Sequence, residues 1–334
     1  MKRYAFPVLT AVLLVVLTWG GCDTGRQPLA PSPEPAPQVA AKQPAAVAAA
    51  IAVQDRHTDR LMAIRGVVGT ATGLARDGRA AIIVFAEGPG IVDLPMDLEG
   101  IPVDVAVTGT IVALAVHLDV STGNAKECAA GTIGARVMDS GGKVYALSNN
   151  HVYARENKAK IGEKIVSPGL YDTGCIFNSQ NVIGTLAKFV KIQFGRTSNT
   201  IDAAIALSAP DKLGNATPPP PDGYGIPNST TATAWVGQLV QKYGRTTGLT
   251  RGSVNFINVT VWVQYSSGRA LFADQIAIGP GGFSGAGDSG SLIVTDDGKA
   301  HPIGLLFAGS STLTIANRIQ NVLTALNVTI DGTN

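Results

Sequence analysis

Residues 287–291 read Gly-Asp-Ser-Gly-Ser and lie inside a glycine-rich run, Gly279-Pro-Gly-Gly-Phe-Ser-Gly-Ala-Gly-Asp-Ser-Gly-Ser-Leu-Ile-Val294. A serine held between glycines can act as a nucleophile, so Ser289 is a candidate. The backbone N–H groups of Gly287 and Ser289 can point at one place, where an oxyanion would develop. A side chain at position 287 would force that peptide out of alignment. The run therefore predicts an acyl-transfer site centred on Ser289.

Two segments upstream carry the partners that such a serine needs. His151 ends the segment Leu147-Ser-Asn-Asn-His151, and Asp202 lies in Thr200-Ile-Asp-Ala-Ala-Ile-Ala206. An imidazole titrates near neutral pH and can take the serine proton. A carboxylate that accepts the other ring N–H would fix the tautomer. The chain order is therefore His151, Asp202, Ser289, and the G-x-S-x-G elbow of other hydrolases is excluded because Ser291 occupies its fifth position.

These motifs together resemble the chymotrypsin-like (trypsin-like) serine proteases of bacteria. A further segment, Gly244-Arg-Thr-Thr-Gly-Leu-Thr-Arg-Gly-Ser-Val254, is similar to the strand–turn–strand that opens the second barrel in streptogrisin-type members. The resemblance covers residues 128–326. It implies an all-β fold of two six-stranded-type β-barrels with a C-terminal helix. It also implies a serine endopeptidase that acts on protein or peptide substrates through an acyl-enzyme, without metal or organic cofactor.

The resemblance assigns further roles around the candidate site. Phe283 would form the base of the pocket for the substrate side chain, which argues against a preference for Lys or Arg. The strand that contains Phe307 and Gly309 would pair with the substrate backbone. Asp288 would have a fixed internal partner. Members of the family often carry a serine near the position of Phe307 that holds the aspartate, and this chain has none in register.

Strand and turn patterns divide the rest of the chain. The protease domain is predicted at 128–326, with a first barrel (128–207), a proline-rich crossover (208–231), a second barrel (232–316) and a C-terminal helix (317–326). Apolar residues at helical spacing support that helix. Residues 51–120 are predicted to form a separate small α+β subdomain, with a hairpin around Asp77-Gly78. This subdomain is either a pro-segment or a structural clasp on the protease.

The N-terminus predicts export. Lys2 and Arg3 precede a short apolar stretch, and residues 1–22 have the organisation of a signal peptide that ends in a lipobox-like Leu17-Thr-Trp-Gly-Gly-Cys22. Cys22 is the predicted lipidation site, which would anchor the protein to a bacterial membrane; the alternative is an ordinary signal peptide with a periplasmic or secreted product. Residues 23–50 are rich in proline and alanine and predict an extended linker.

Cysteine content and charge narrow the function classes. With Cys22 lipidated, Cys128 and Cys175 are left either as a disulfide in an oxidising compartment or as two separate buried thiols. Neither has a metal-ligand spacing, so no zinc site is expected. Without Lys2 and Arg3, 24 basic residues face 24 acidic ones, which argues against a nucleic-acid partner.

Two other functions are compatible with the same residues. One is a non-catalytic or latent binding module, in which residues 66–118 block the cleft or the oxyanion loop is collapsed. The other is an esterase on the same fold.

Overall fold

The computed structural model describes residues 38–39, 44–113 and 121–334 of this chain. The predicted signal peptide, Cys22 and much of the predicted linker lie outside the described residues. Within the described residues, strands dominate and form two curled sheets, and the predicted all-β fold of two barrels with a C-terminal helix is confirmed.

The N-terminal region contains one long helix and a set of strands. Their bounds are β1 Gln38–Val39, α1 Ala45–Met62, β2 Val67–Leu74, β3 Ala80–Ala86, β4 Asp97–Leu98, β5 Ile101–Val107 and β6 Val112–Ala113.

The first sheet and its connections occupy the middle of the chain. Their bounds are β7 Ser121–Asn124, β8 Gly131–Thr132, β9 Ala135–Met138, β10 Val144–Ser148, α2 Asn150–Tyr153, β11 Lys164–Val166, β12 Val182–Phe189, β13 Gly195–Asn199 and β14 Ala204–Leu207. Two 3-10 turns, Leu170–Thr173 and Ser179–Asn181, lie between β11 and β12.

The C-terminal part contains the remaining elements. Their bounds are β15 Thr231–Ala232, β16 Leu239–Gly244, β17 Gly248–Tyr265, β18 Gly268–Gly279, β19 Leu292–Thr295, β20 Pro302–Gly309, β21 Thr314–Arg318, α3 Ile319–Leu326 and β22 Thr329–Ile330.

The first sheet has the order β22-β9-β10-β14-β12-β11-β7-β8. It includes β7, which precedes the predicted start of this barrel at residue 128, and β22, which follows the predicted end of the domain at residue 326. β13 leaves this sheet and pairs in parallel with β18 of the other one. The two halves of residues 128–326 are thus joined by the β13–β18 pairing as well as by the irregular crossover.

The second sheet closes into a barrel. The order is β18-β21-β20-β19-β16-β17, and β17 pairs back onto β18. The β17–β18 hairpin is unusually long, with strands of 18 and 12 residues. The extra length gives β17 an outer part that can accept another strand.

The N-terminal strands use that outer part of β17. β2 pairs antiparallel with β17, and the order then continues through β3, β5 and β4. The predicted hairpin around Asp77-Gly78 is present as β2–β3. However, the region is not the separate unit predicted from the sequence, because its sheet is continuous with that of the second barrel.

Alternation along β3 explains why this region is buried on both faces. Successive side chains of a strand point to opposite faces. Ile82 and Val84 pack in a cluster with Leu61 of α1, whereas Ile83 and Phe85 pack in the cluster that includes Val261 of β17. The run of apolar residues in β3 therefore joins α1 to the second barrel.

The C-terminal helix α3 follows the predicted pattern. Its buried residues are Ile319, Val322, Leu323 and Leu326, and the helix ends at Asn327, whose φ of 59° gives a left-handed cap. Among the residues that the structure describes, no helix is both long and apolar enough to cross a bilayer.

Glu163 gives the first sheet a defined sensitivity to acid. Burial by itself raises the pKa of this carboxyl, but hydrogen bonds from Lys126, Asn124 and Arg155 outweigh burial and hold the pKa at about 2. Because the folded pKa lies below the ordinary value of 4.5, the stabilisation is present above pH 4.5 and is lost as pH falls from 4.5 towards 2.

We therefore expect Glu163→Gln to lower the free energy of unfolding at pH 7 by about 1–3 kcal/mol. Urea unfolding of both proteins between pH 2 and pH 7 should show this difference shrinking with acidification. Glu127→Gln is the matched control, because burial raises the pKa of Glu127 and its neutralisation should not reduce stability. A stability difference between wild type and Glu163→Gln that stays constant from pH 2 to pH 7 would contradict this role of Glu163.

Candidate active site

His151 and Asp202 come together at neighbouring strand ends. His151 lies in the single turn of α2, directly after β10, and Asp202 lies just before β14. β10 and β14 pair antiparallel, with Ser148 opposite Ala204. His151 Nδ1 is 2.7 Å from Asp202 Oδ2, and the His151 backbone N–H donates to Asp202 Oδ1 at 3.2 Å. The carboxylate therefore fixes both the ring and the peptide of the histidine.

Asp202 is fully buried, and its support comes from a residue that sequence reasoning missed. The Tyr265 hydroxyl donates to Asp202 Oδ2 at 2.9 Å. Burial, and then the charge of Asp202, raise the pKa of Tyr265 well above 10, so the hydroxyl keeps its proton and remains a donor. Tyr265 thus gives Asp202 the hydrogen bond for which the sequence resemblance offered no serine in register.

Two asparagines hold the backbone of Asp202. Its N–H donates to Asn317 Oδ1 at 3.0 Å, and its carbonyl accepts from Asn149 Nδ2 at 2.7 Å. Asn317 lies on β21 of the second barrel, whereas Asn149 precedes α2. The position of Asp202 is therefore set by both halves of the molecule.

Ser289 lies in a buried turn that packs against the strand ends leading to His151. Its carbonyl accepts from the Thr132 N–H at 2.7 Å. A Cβ on Gly131 would meet both Val152, the neighbour of His151, and the Ser289 carbonyl. The Ser289 hydroxyl donates to the Phe307 carbonyl at 3.3 Å. The nucleophile candidate is thus brought beside α2, with its hydroxyl proton directed at β20.

The backbone at Gly287 adopts a conformation that favours glycine, as the sequence predicts. Gly287 has a φ of 105°, which side chains rarely tolerate. Its carbonyl accepts from Thr132 Oγ1 at 2.8 Å, which fixes the peptide that leads into Asp288. Within the described chain, the N–H groups of Gly287 and Ser289 have no hydrogen-bond acceptor. Both are therefore able to donate to a ligand oxygen.

Asp288 has the internal partner that was expected. Lys242 Nζ lies 3.3 Å from Asp288 Oδ2, and both side chains are fully buried. The same carboxylate accepts from Thr246 N–H, Thr247 Oγ1 and Gly285 N–H. Burial lowers the pKa of Lys242, and the charge of Asp288 partly opposes that shift. This pair ties the glycine-rich run to β16.

The three predicted substrate-binding residues have different surroundings. Phe283 is 2 % exposed and packs in a core cluster with Val254 and Ile278. Phe307 is fully buried, with its ring 4.7 Å from that of Phe272. Phe283 thus belongs to the core of the second barrel, and its role in side-chain selection stays a prediction.

Gly309 and its neighbour Ala308 are paired with the chain itself. β6 runs antiparallel to β20 there, with Val112 opposite Gly309 and Ala113 opposite Ala308. β6 also contacts β17, opposite Gln264. The edge of β20 that the resemblance assigns to a substrate backbone therefore holds a strand from the N-terminal region.

The disulfide between Cys128 and Cys175 is present, which confirms that prediction, and it lies within the first half of the protein. Arg245 and Asp172 connect the two halves: Arg245 Nε donates to Asp172 Oδ2 at 2.9 Å, and both side chains are fully buried. Among the residues that the structure describes, no group of three or more His, Cys, Asp or Glu could hold a metal ion.

Comparisons with known proteins found similarity to one family model and to several solved structures. Residues 224–325 match the family model for the Nal1 C-terminal domain. No curated protein matches the chain.

Three solved structures illustrate the likeness. A glutamic acid-specific serine protease that uses a histidine triad in substrate binding is 19% identical, covering 63% of this chain and 97% of its own, with a TM-score of 0.44. Nocardiopsis protease is 15% identical, covering 64% and 98%, with a TM-score of 0.45. The MamO protease domain from Magnetospirillum magneticum is 10% identical, covering 65% and 95%, with a TM-score of 0.34.

The buried Lys242–Asp288 pair should respond asymmetrically to mutation. Lys242→Met leaves a buried carboxylate without its cation, and we expect it to reduce the free energy of unfolding by roughly 3 kcal/mol. Adding Asp288→Asn removes that charge, so the double variant should regain part of the loss. Urea unfolding gives the free energy of unfolding of wild type, Lys242→Met and the double variant. Equal stability of Lys242→Met and wild type would contradict the role given to this pair.

Proposed function

We propose that this protein is an exported serine endopeptidase in which His151, Asp202 and Ser289 form the catalytic triad. The observation that carries the proposal is the pairing of His151 with the buried Asp202, which also accepts from Tyr265, beside the turn that holds Ser289. A structural histidine needs no such support, whereas a general base must be held in one tautomer and one orientation.

The proposed reaction uses only groups of this chain. Ser289 Oγ attacks the peptide carbonyl while His151 Nε2 takes its proton, and Asp202 stabilises the imidazolium. The N–H groups of Gly287 and Ser289 donate to the oxyanion. His151 then protonates the leaving amine, and water hydrolyses the acyl-enzyme by the same route in reverse. For attack, the Ser289 hydroxyl exchanges its Phe307 acceptor for His151.

The substrates are proteins or peptides, bound as an added antiparallel strand. The exposed backbone of a sheet edge supplies hydrogen bonds to any extended peptide, whatever its sequence. Ala308 and Gly309 on β20 are the proposed edge. The location is proposed from residues 1–22 alone, whose sequence favours export and lipid attachment at Cys22.

A latent form of the enzyme is the second candidate. The pairing of β6 with Ala308 and Gly309 favours it, because a peptide cannot occupy that edge until β6 leaves. In this form the triad is assembled but the substrate strand is excluded. Latency through β6 places the N-terminal region in a regulatory role rather than a purely structural one.

A fluorophosphonate probe tests the triad directly. We expect wild-type protein to become labelled and Ser289→Ala to remain unlabelled. Tyr265→Phe should label about tenfold more slowly, because Asp202 loses one of its hydrogen bonds. Tyr153→Phe is the matched control, since it removes a buried hydroxyl bonded to Thr122 and away from Asp202. Labelling of Ser289→Ala equal to wild type would refute the nucleophile.

Cutting the chain after β6 tests latency. Residues 114–120 are replaced by the recognition sequence of a site-specific protease, so that β6 can be released at one end. We expect cleavage to increase the rate of probe labelling about tenfold or more, because two paired residues hold an extended peptide only weakly. The same sequence inserted in the Asp77-Gly78 turn is the control. An unchanged rate after cleavage would remove the case for latency.

A further inference from the structure

A cavity of about 810 Å³ lies between the C-terminal end of α1 and the β17–β18 hairpin. Its wall includes Arg65, Arg196 and Arg269. These arginines come from three distinct places: the turn after α1, β13 and β18. The volume is in the range of pockets that hold small organic ligands.

The arginines that line this cavity differ from most arginines of the described chain. Seven of the described arginines have a carboxylate partner within 4.0 Å: Arg56, Arg79, Arg136, Arg155, Arg245, Arg251 and Arg318. Arg65, Arg196 and Arg269 have none among the described residues, although all three border the same cavity. Three guanidinium groups in one place, none of which forms an ion pair with a described carboxylate, favour an anion.

Trp262 orders part of this site. The Arg269 guanidinium lies 4.5 Å from the centre of the Trp262 ring, which restricts its rotamers through a cation–π contact. Leu271 and Met62 add apolar surface to the wall. The site can therefore receive the carbon portion of a ligand as well as its charge.

Two carboxylates also line the cavity. Glu87 accepts from Thr110 Oγ1 at 3.1 Å, and Asp59 lies on α1. With three guanidinium groups against two carboxylates, the wall has a net positive charge, and this charge is unevenly distributed. An anion would be drawn towards the arginines of β13 and β18 rather than towards α1.

We infer that this cavity is a binding site for a small organic anion with two or more carboxylate or phosphate groups. Guanidinium groups recognise both groups through paired N–H donors. The inference does not depend on the triad, since none of its residues lines the cavity. Thr110 and Ile111, which directly precede β6, form part of the wall, so a bound anion would contact the segment that leads into β6.

Isothermal titration of the full chain tests the inference, with pyrophosphate as the phosphate probe and citrate as the carboxylate probe. We expect saturable one-to-one binding of at least one probe, weakened as salt concentration rises. The probe that binds more tightly identifies the preferred group. Absence of saturable binding by both would overturn the inference.

Variants locate the binding. Arg196→Ala should weaken binding about 5- to 10-fold, because the loss of one exposed, charge-assisted contact is partly screened by solvent. Arg196→Lys should recover part of the affinity. Arg76→Ala, an exposed arginine in the β2–β3 turn without a carboxylate partner, should bind like wild type. Equal affinity of Arg196→Ala and wild type, with unchanged melting temperature, would show that the anion binds elsewhere and would also overturn the inference.

Discussion

The buried carboxylate of Asp202 constrains the arrangement of both halves of the molecule. A buried charge is costly unless it is hydrogen-bonded, so every group that supports Asp202 must be delivered to the same point. His151 arrives from α2 after β10, Tyr265 from the end of β17, and Asn317 from β21. The two sheets therefore cannot slide or rotate relative to each other without breaking the hydrogen bonds of Asp202 to Tyr265 and Asn317.

Tyr265 also links the site to the N-terminal region. β17 must extend for 18 residues to place Tyr265 against Asp202, and this same extension provides the outer edge on which β2 pairs. α1 then covers the face of β3 that would otherwise expose Ile82 and Val84. A long hairpin thus has two consequences: it completes the support of Asp202, and it anchors the N-terminal strands to the second barrel.

The sequence contains the local features of the site but not its long-range contacts. His151, Asp202 and Ser289 are recognisable because each lies in a short motif with a defined backbone requirement, such as the positive φ of Gly287. The hairpin β2–β3 is likewise predicted by its Asp77-Gly78 turn and by the strand pattern of the residues on either side. Tyr265 lies in no such motif, since its role depends on the end of β17 reaching Asp202 from the other sheet. The pairing of β2 with β17 is missed for the same reason: strand partners that are distant in sequence leave no local pattern.

The pairing of β6 with β20 follows from the same physics that would bind a substrate. An edge of buried backbone donors and acceptors must be satisfied by water, by a peptide or by the chain itself. Gly309 is buried, so in this structure the chain itself satisfies that edge through Val112. A peptide that replaced β6 would make hydrogen bonds of the same kind. The net free energy of its binding would therefore be only the difference between its own contacts and those of β6. β6 belongs to the same chain and also pairs with β17, so it competes with a substrate peptide for this edge at high effective concentration. If Ser289 acts as proposed, its activity therefore depends on the release of the two residues of β6 as well as on the chemistry of the triad.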